Sequence, residues 1–211
     1  MAYLAVALHD DFRSTLASIG ATVAGVARTS GIDFDPMSED GLHMTFFFLG
    51  DACQRKKRAE FCQLRDEIAA SAAKLQFRGS FVPQELAPFP PGKQNLLVLT
   101  LAEPYGMQAW HARTGECAAS CLGADVSRNP SPWIAHITLG KFGRAASDKD
   151  HQVDVARAIQ SVVASLAAGG VAQSLKDSPH PVIRGGLELR AAPGTANGID
   201  WESVGGPVPP R

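Results

Sequence analysis

The sequence predicts an α+β protein built from two pseudo-equivalent halves. Three observations carry that expectation. Segments of strand and helix character alternate in the order β-α-β-α-β-β-α-β-α-β. Two β-α-β stretches share a rhythm without sharing residues. The motifs of a doubly wound parallel sheet are missing: no G-x-G-x-x-G follows a strand, and Gly92 and Gly140 lack the flanking residues of a P-loop.

Each element has a local reason. Residues 3–8 form a short apolar run ended by His9-Asp10-Asp11, which reads as a strand and then a helix start with acidic residues at its positive end. The Ala-rich residues 12–28 continue that helix, and 31–41 gather Gly, Asp, Pro and Ser into a loop. The run LHMTFFFL at 42–49 is dense in β-formers and closed by Gly50-Asp51. Residues 54–74 read as a helix whose first turns carry Arg55, Lys56, Lys57 and Arg58. That cluster sits at the unfavourable dipole end; a solvated face explains it more economically than a phosphate-facing patch.

Residues 75–82 and 95–102 read as strands around a turn-rich 83–93 broken by Pro88, Pro90, Pro91 and Gly92. Helices follow at 104–122 and at 150–168, the latter stopped by Gly169-Gly170, with a strand at 133–142 between them. Strands are expected at 182–190 and near 199–204, and residues 205–211, with three prolines, as a frayed tail.

The chain of 211 residues, 45% apolar, suffices for one core or two lobes sharing one, so a single domain over 1–211 is expected. Twenty Lys and Arg against twenty-one Asp and Glu leave a net charge of −1, which excludes whole-molecule attraction to a phosphate backbone or anionic membrane. No apolar run approaches the roughly 18 residues of a spanning helix, and the first ten residues lack a signal-peptide pattern, so a cytoplasmic chain without membrane contact is expected. Cys53, Cys62, Cys117 and Cys121 are too sparse for a disulfide scaffold. Cys117 and Cys121 share a helical face near His111, but no fourth zinc ligand stands with them, so reduced core thiols and no metal are expected.

The chemistry sits in two strands. Of six histidines, His43 and His136 head the same pattern: His43-Met44-Thr45 before FFFLG, and His136-Ile137-Thr138 before LGKF. With eight threonines in the chain, about 0.2 such triplets are expected by chance, so two copies, both in strands, outweigh a lone motif. A single copy would be read as a structural His beside a β-forming Thr. Because side chains alternate along a strand, each imidazole shares a face with its hydroxyl, while Met44, Phe46 and Phe48, and Ile137 and Leu139, fall on the other. If the strands meet at a cleft, one neutral and one protonated imidazole can serve as base and acid at a phosphodiester, and the hydroxyls can donate to its non-bridging oxygens.

At these residues the sequence resembles the 2H phosphoesterase superfamily, in particular its LigT-like members, the RNA 2′,3′-cyclic phosphodiesterases also called 2′-5′ RNA ligases. HMTFFFLG and HITLGK carry the resemblance, and the spacing, 136 − 43 = 93 residues, is typical of that branch. It implies a bilobal fold: two pseudo-symmetric β-sheet lobes, interleaved, with outer helices around a central cleft. It makes His43 and His136 the acid/base pair and Thr45 and Thr138 the phosphate-holding hydroxyls, and it points to Lys141, three beyond the second Thr, as a phosphate-binding cation. Strict alternation would turn Lys141 away from His136, so that role needs a bend at Gly140.

Relatives often carry Pro where Ala135 stands, a departure in the pocket wall. The resemblance implies a monomeric, cofactor-free enzyme acting on nucleotide or RNA-end 2′,3′-cyclic phosphates, with His136 activating water and His43 protonating the leaving oxygen. The residues by themselves leave that orientation open. The alternatives are a 2′-5′-oligonucleotide phosphodiesterase and a non-catalytic nucleotide-binding module. Phe47, Phe89 and Trp133 are candidates for stacking on a base, although most aromatics of so aromatic-poor a chain belong in its core.

Overall fold

A computed structural model describes residues 2–50, 58–90, 95–143, 149–177 and 182–191. In chain order the elements are β1 (Ala2–Leu8), α1 (Asp10–Thr29), β2 (Phe34–Pro36), a 3-10 turn (Glu39–Gly41), β3 (Met44–Gly50), α2 (Arg58–Ala73), β4 (Val82–Phe89), β5 (Leu96–Ala102), α3 (Met107–Leu122), β6 (His136–Phe142), α4 (Lys149–Ala168), α5 (Val171–Lys176) and β7 (Ile183–Ala191). The sheet runs β4-β5-β6-β3-β1-β7, with β2 beside β6, and every described pairing is antiparallel.

This sheet is two lobes joined at a seam. Strands β1, β3 and β7 form one and β4, β5 and β6 the other, and β3 meets β6 through the single register pair Met44↔Ile137. The lobes interleave: β4 follows the first βαβα stretch but pairs with β5, while β7 follows the second and returns to pair with β1.

Their registers repeat with the offset of 93 residues that separates the two histidines. Tyr3↔Phe48 and Leu96↔Lys141, Ala5↔Thr45 and Val98↔Thr138, and Val6↔Met44 and Leu99↔Ile137 are equivalent pairs. Even the bulge repeats: Phe46 is the extra residue in β3, and Leu139 the extra residue in β6. The edge strands follow suit, because Arg190 pairs with Tyr3 and Phe89 with Leu96.

Helices seal the back of each lobe. On α1, Phe12, Leu16, Gly20, Val23 and Ala27 recur every three or four residues and are buried, and Asp10 and Asp11 lie in its first turn. This helix packs on β2, β6 and α4, while α3 packs on α2 and β3. The α3 stripe of Met107, Trp110, His111, Thr114, Ala118 and Cys121 is buried there. Among the described residues no helix is long and apolar enough to cross a membrane.

Four expectations are corrected. Residues 75–81 form no strand; β4 instead runs through Pro83 to Phe89, in the stretch expected to be turn. Its place at the sheet edge explains this, because a proline that cannot donate to the ladder is tolerated where one side has no partner. β2 lies inside the Gly31–Gly41 loop, recruited by β6. The strand expected from Trp133 starts at His136. Finally, the bulge at Phe46 breaks the alternation, so Phe46 and Phe47 are both buried and Phe48 turns to the face of Tyr3, their ring centroids 6.2 Å apart. The basic residues 55–57, the strand near 199–204 and the tail 205–211 lie outside the described residues.

Gly140 shows how tightly β2 is seated. A Cβ there would press into the Phe34 ring and lie 2.5 Å from the Asp35 carbonyl oxygen, which is backbone and cannot move without opening the β2–β6 ladder. Gly140→Ala is therefore expected to destabilise by about 3 kcal/mol, at the upper end of overpacking costs, and to lower Tm by about 6–12 °C in thermal denaturation. An unchanged Tm would refute this seating.

Candidate active site in the seam between the lobes

The pair Met44↔Ile137 decides the geometry. Extending the antiparallel register by one residue each way sets His43 across from Thr138 and Thr45 across from His136. Directly opposed residues of such a pair sit about 5 Å apart at Cβ. Met44 and Ile137 are fully buried at the back, whereas all four His and Thr side chains are half-buried at the front. The two imidazoles are close enough for the charge of His136 to act on His43.

Both imidazoles are held alike. His43 Nδ1 lies 2.6 Å from the Gly41 carbonyl oxygen and His136 Nδ1 2.8 Å from that of Ile134, each two residues earlier. A carbonyl can only accept, so Nδ1 carries the hydrogen and Nε2 is left to take or give a proton. Burial is the main reason that both imidazoles are held below their ordinary pKa of 6.5. The Gly41 and Ile134 carbonyls oppose that shift; at His43 the charges of Arg190 and His136 add to it, and Glu188 opposes it. Among the described residues neither threonine hydroxyl has a protein hydrogen-bond partner, which leaves both able to donate to a ligand.

An aromatic ring backs each imidazole. Tyr3 stacks on His43 with centroids 4.9 Å apart and planes at 26°, and Phe89 lies on His136 at 4.5 Å and 31°. Of the three aromatics considered for base stacking, only Phe89 is at the site. Phe47 and Trp133 are core, 2% and 4% exposed, although Trp133 Nε1 donates to the Thr45 carbonyl at 3.1 Å and so helps to place Thr45.

Lys141 is exposed and pairs with Leu96, which pairs with Phe89. Residues opposed across strands share a face, and Phe89 reaches His136, so this row lies on the imidazole side. The bulge at Leu139, one residue before the expected bend at Gly140, makes this possible by shifting the alternation.

Sequence reasoning missed Tyr3, Arg190, Glu188 and Asn129. Tyr3 had a signal, as the one side chain able to hydrogen-bond in the strand AYLAVAL. Asn129 had none: its side chain accepts from Phe48 N at 2.7 Å and donates to Phe48 O at 3.0 Å, standing in for a strand where β3 leaves β6. His111 packs against Phe46, Phe47 and Trp133 rather than against a thiol. Cys117 and Cys121 lie against Glu67; burial, then Glu67, pushes the Cys121 thiol up to about 11. Among the described residues no group of three or more His, Cys, Asp or Glu could hold a metal ion.

No family model matches the sequence, and no curated protein is detectably similar to it. Solved structures are similar. TT0787 of Thermus thermophilus aligns at 20% identity and a TM-score of 0.52, covering 70% of this chain and 76% of its own. Usb1 of Kluyveromyces marxianus aligns at 16% and 0.49, over 90% and 92%, and a phosphoesterase crystal structure at 18% and 0.47, over 66% and 71%. The TT0787 alignment agrees with the α+β architecture and its antiparallel sheet, and this chain shares that fold.

Proposed function

We propose that the protein is a phosphodiesterase that hydrolyses 2′,3′-cyclic phosphates of nucleotides or RNA ends by His/His acid–base catalysis without a metal. The observation that supports this reading is the Met44↔Ile137 register, which sets His43 across from Thr138 and Thr45 across from His136, with neither Nε2 hydrogen-bonded among the described residues.

In the reaction the neutral imidazole takes a proton from water through Nε2 as the water oxygen bonds to phosphorus. The bond from phosphorus to the ribose 3′ oxygen breaks, and the protonated imidazole passes its Nε2 proton to that oxygen, leaving a 2′-phosphate. Charge grows on the non-bridging oxygens meanwhile, and the Thr45 and Thr138 hydroxyls and Lys141 are the donors on this face that meet it. A 2′-5′ linkage would use the same groups, with a ribose 3′-OH in place of water.

Adenosine 2′,3′-cyclic phosphate incubated with the protein and EDTA, beside 2′-5′ oligoadenylate, tests the reading. Conversion to the 2′-phosphate that survives the chelator supports it. Binding without product would instead make the cleft a nucleotide-binding module, and cleavage of the oligoadenylate alone would transfer the activity to that linkage.

The pH dependence follows from the site. Productive free enzyme has one imidazole protonated and one neutral, so kcat/KM passes through a maximum between the two macroscopic pKa values of the pair. Both histidines are held below 6.5, so that maximum is expected on the acid side of pH 6.5. It should fall at lower pH as the base is protonated and at higher pH as the acid is lost. A profile flat from pH 5 to 9, or an optimum above pH 7.5, would contradict the assignment.

A further inference from the structure

The repeat of 93 residues makes the two imidazoles equivalent in their own strands, and it exposes where their surroundings differ. At the place where the His136 lobe carries Phe89 on its edge strand, the His43 lobe carries Arg190; Tyr3 replaces Leu96, and Glu188 replaces Ala87. One imidazole therefore rests on an apolar ring from the edge strand. The other is served by an edge-strand cation acting through intermediaries.

We propose that Arg190 is a positioning residue for His43, gripping from β7 the 3-10 turn that holds this imidazole in place. This proposal rests on the catalytic reading above only for its rate measurements. Arg190 Nη1 donates to the Asp40 carbonyl at 3.2 Å, and Asp40 precedes Gly41, whose carbonyl takes the His43 Nδ1 hydrogen at 2.6 Å. The Arg190 charge also acts on the Tyr3 phenol, and the Tyr3 ring stacks on His43. The fork is aimed by Glu188, whose Oε2 accepts from Nε at 3.4 Å and Nη2 at 3.3 Å. A planar guanidinium can serve both partners in fixed directions, which an ammonium cannot do.

Among the described residues the charged and titratable groups facing His43 are Tyr3 from β1, Arg190 and Glu188 from β7, and His136 from β6. Of these, Arg190 and His136 disfavour its protonation, and Glu188 favours it. Among the described residues no such cation acts on His136, where burial and the Ile134 carbonyl set the balance. Removing Arg190 therefore acts on one imidazole of the pair. It withdraws a positive charge, which raises the pKa of His43.

The experiment is an NMR titration of the imidazole resonances, with steady-state kinetics on adenosine 2′,3′-cyclic phosphate, for the wild type, Arg190→Gln and Arg190→Lys. In Arg190→Gln the His43 titration is expected to move upward by about 0.5 or more while that of His136 stays in place. The expected fall in kcat is about tenfold, with KM changed less than twofold. Arg190→Lys should restore much of the His43 titration but little of kcat, since it returns the charge without the fork. Thermal denaturation confirms that each variant is folded, and the lysine variant carries the test should the glutamine variant fail to fold.

Equal movement of both imidazoles, or of neither, overturns the proposal. So does a rise in KM with His43 unmoved, which would make Arg190 a substrate contact. The titration needs no turnover, so a wild type that hydrolyses nothing would refute the catalytic reading while leaving the role of Arg190 to be decided by the resonances.

Discussion

Replacing His43 or His136 with alanine is expected to lower kcat for adenosine 2′,3′-cyclic phosphate hydrolysis by about 10²–10⁴-fold, the usual worth of a positioned acid or base. The loss should be comparable for both, because the register gives them equivalent places and equivalent Nδ1 hydrogen bonds. The double variant should lose little more than the worse single one, since an acid without its base no longer completes the reaction.

Stability should hardly change. Both rings are half-buried at the front of the sheet, and removing either forfeits a ring contact with Tyr3 or Phe89 worth about 0.5–1.5 kcal/mol. Initial rates measured beside thermal melting separate the two effects. Either variant retaining more than a tenth of wild-type kcat would remove that histidine from the mechanism.

Thr45→Val and Thr138→Val are each expected to lower kcat by about 10–10³-fold, by analogy with the loss of one oxyanion donor. Valine keeps the shape and the β-branch, so the strands should be unaffected and the hydroxyl alone is tested. The loss belongs in kcat rather than KM, because the hydroxyls donate to oxygens whose negative charge grows towards the transition state. Serine at either position, which keeps the donor, should recover most of the rate. A variant raised in KM alone would show that its hydroxyl binds the ground state and contributes nothing to the chemical step.

Much of this site was legible before folding. Any strand containing His-x-Thr puts the imidazole and the hydroxyl on one face, and β3 and β6 were legible as strands from LHMTFFFL and HITLGKF. Helix α1 announced itself through its acidic start and its apolar spacing. The failures share a cause, which is that each depended on a neighbour distant in sequence. Pro83 and Pro88 argue against a strand until β4 is known to lie at an edge, and β2 has no signal apart from the exposed flank of β6. The alternation that sent Phe48 to the back holds only without the bulge at Phe46.

What the chain determined on its own is local: two imidazole–hydroxyl pairs, each on one face of a strand with an apolar reverse, because the pleat alternates whatever surrounds it. Only the tertiary structure decided that these strands lie side by side with Met44 opposite Ile137, since that register comes from burying both residues behind one seam. It also decided that β7 returns to β1, which brings Arg190 to a turn 150 residues away in the chain. Contacts at that separation arise from the packing of the whole sheet, which no short stretch of sequence specifies.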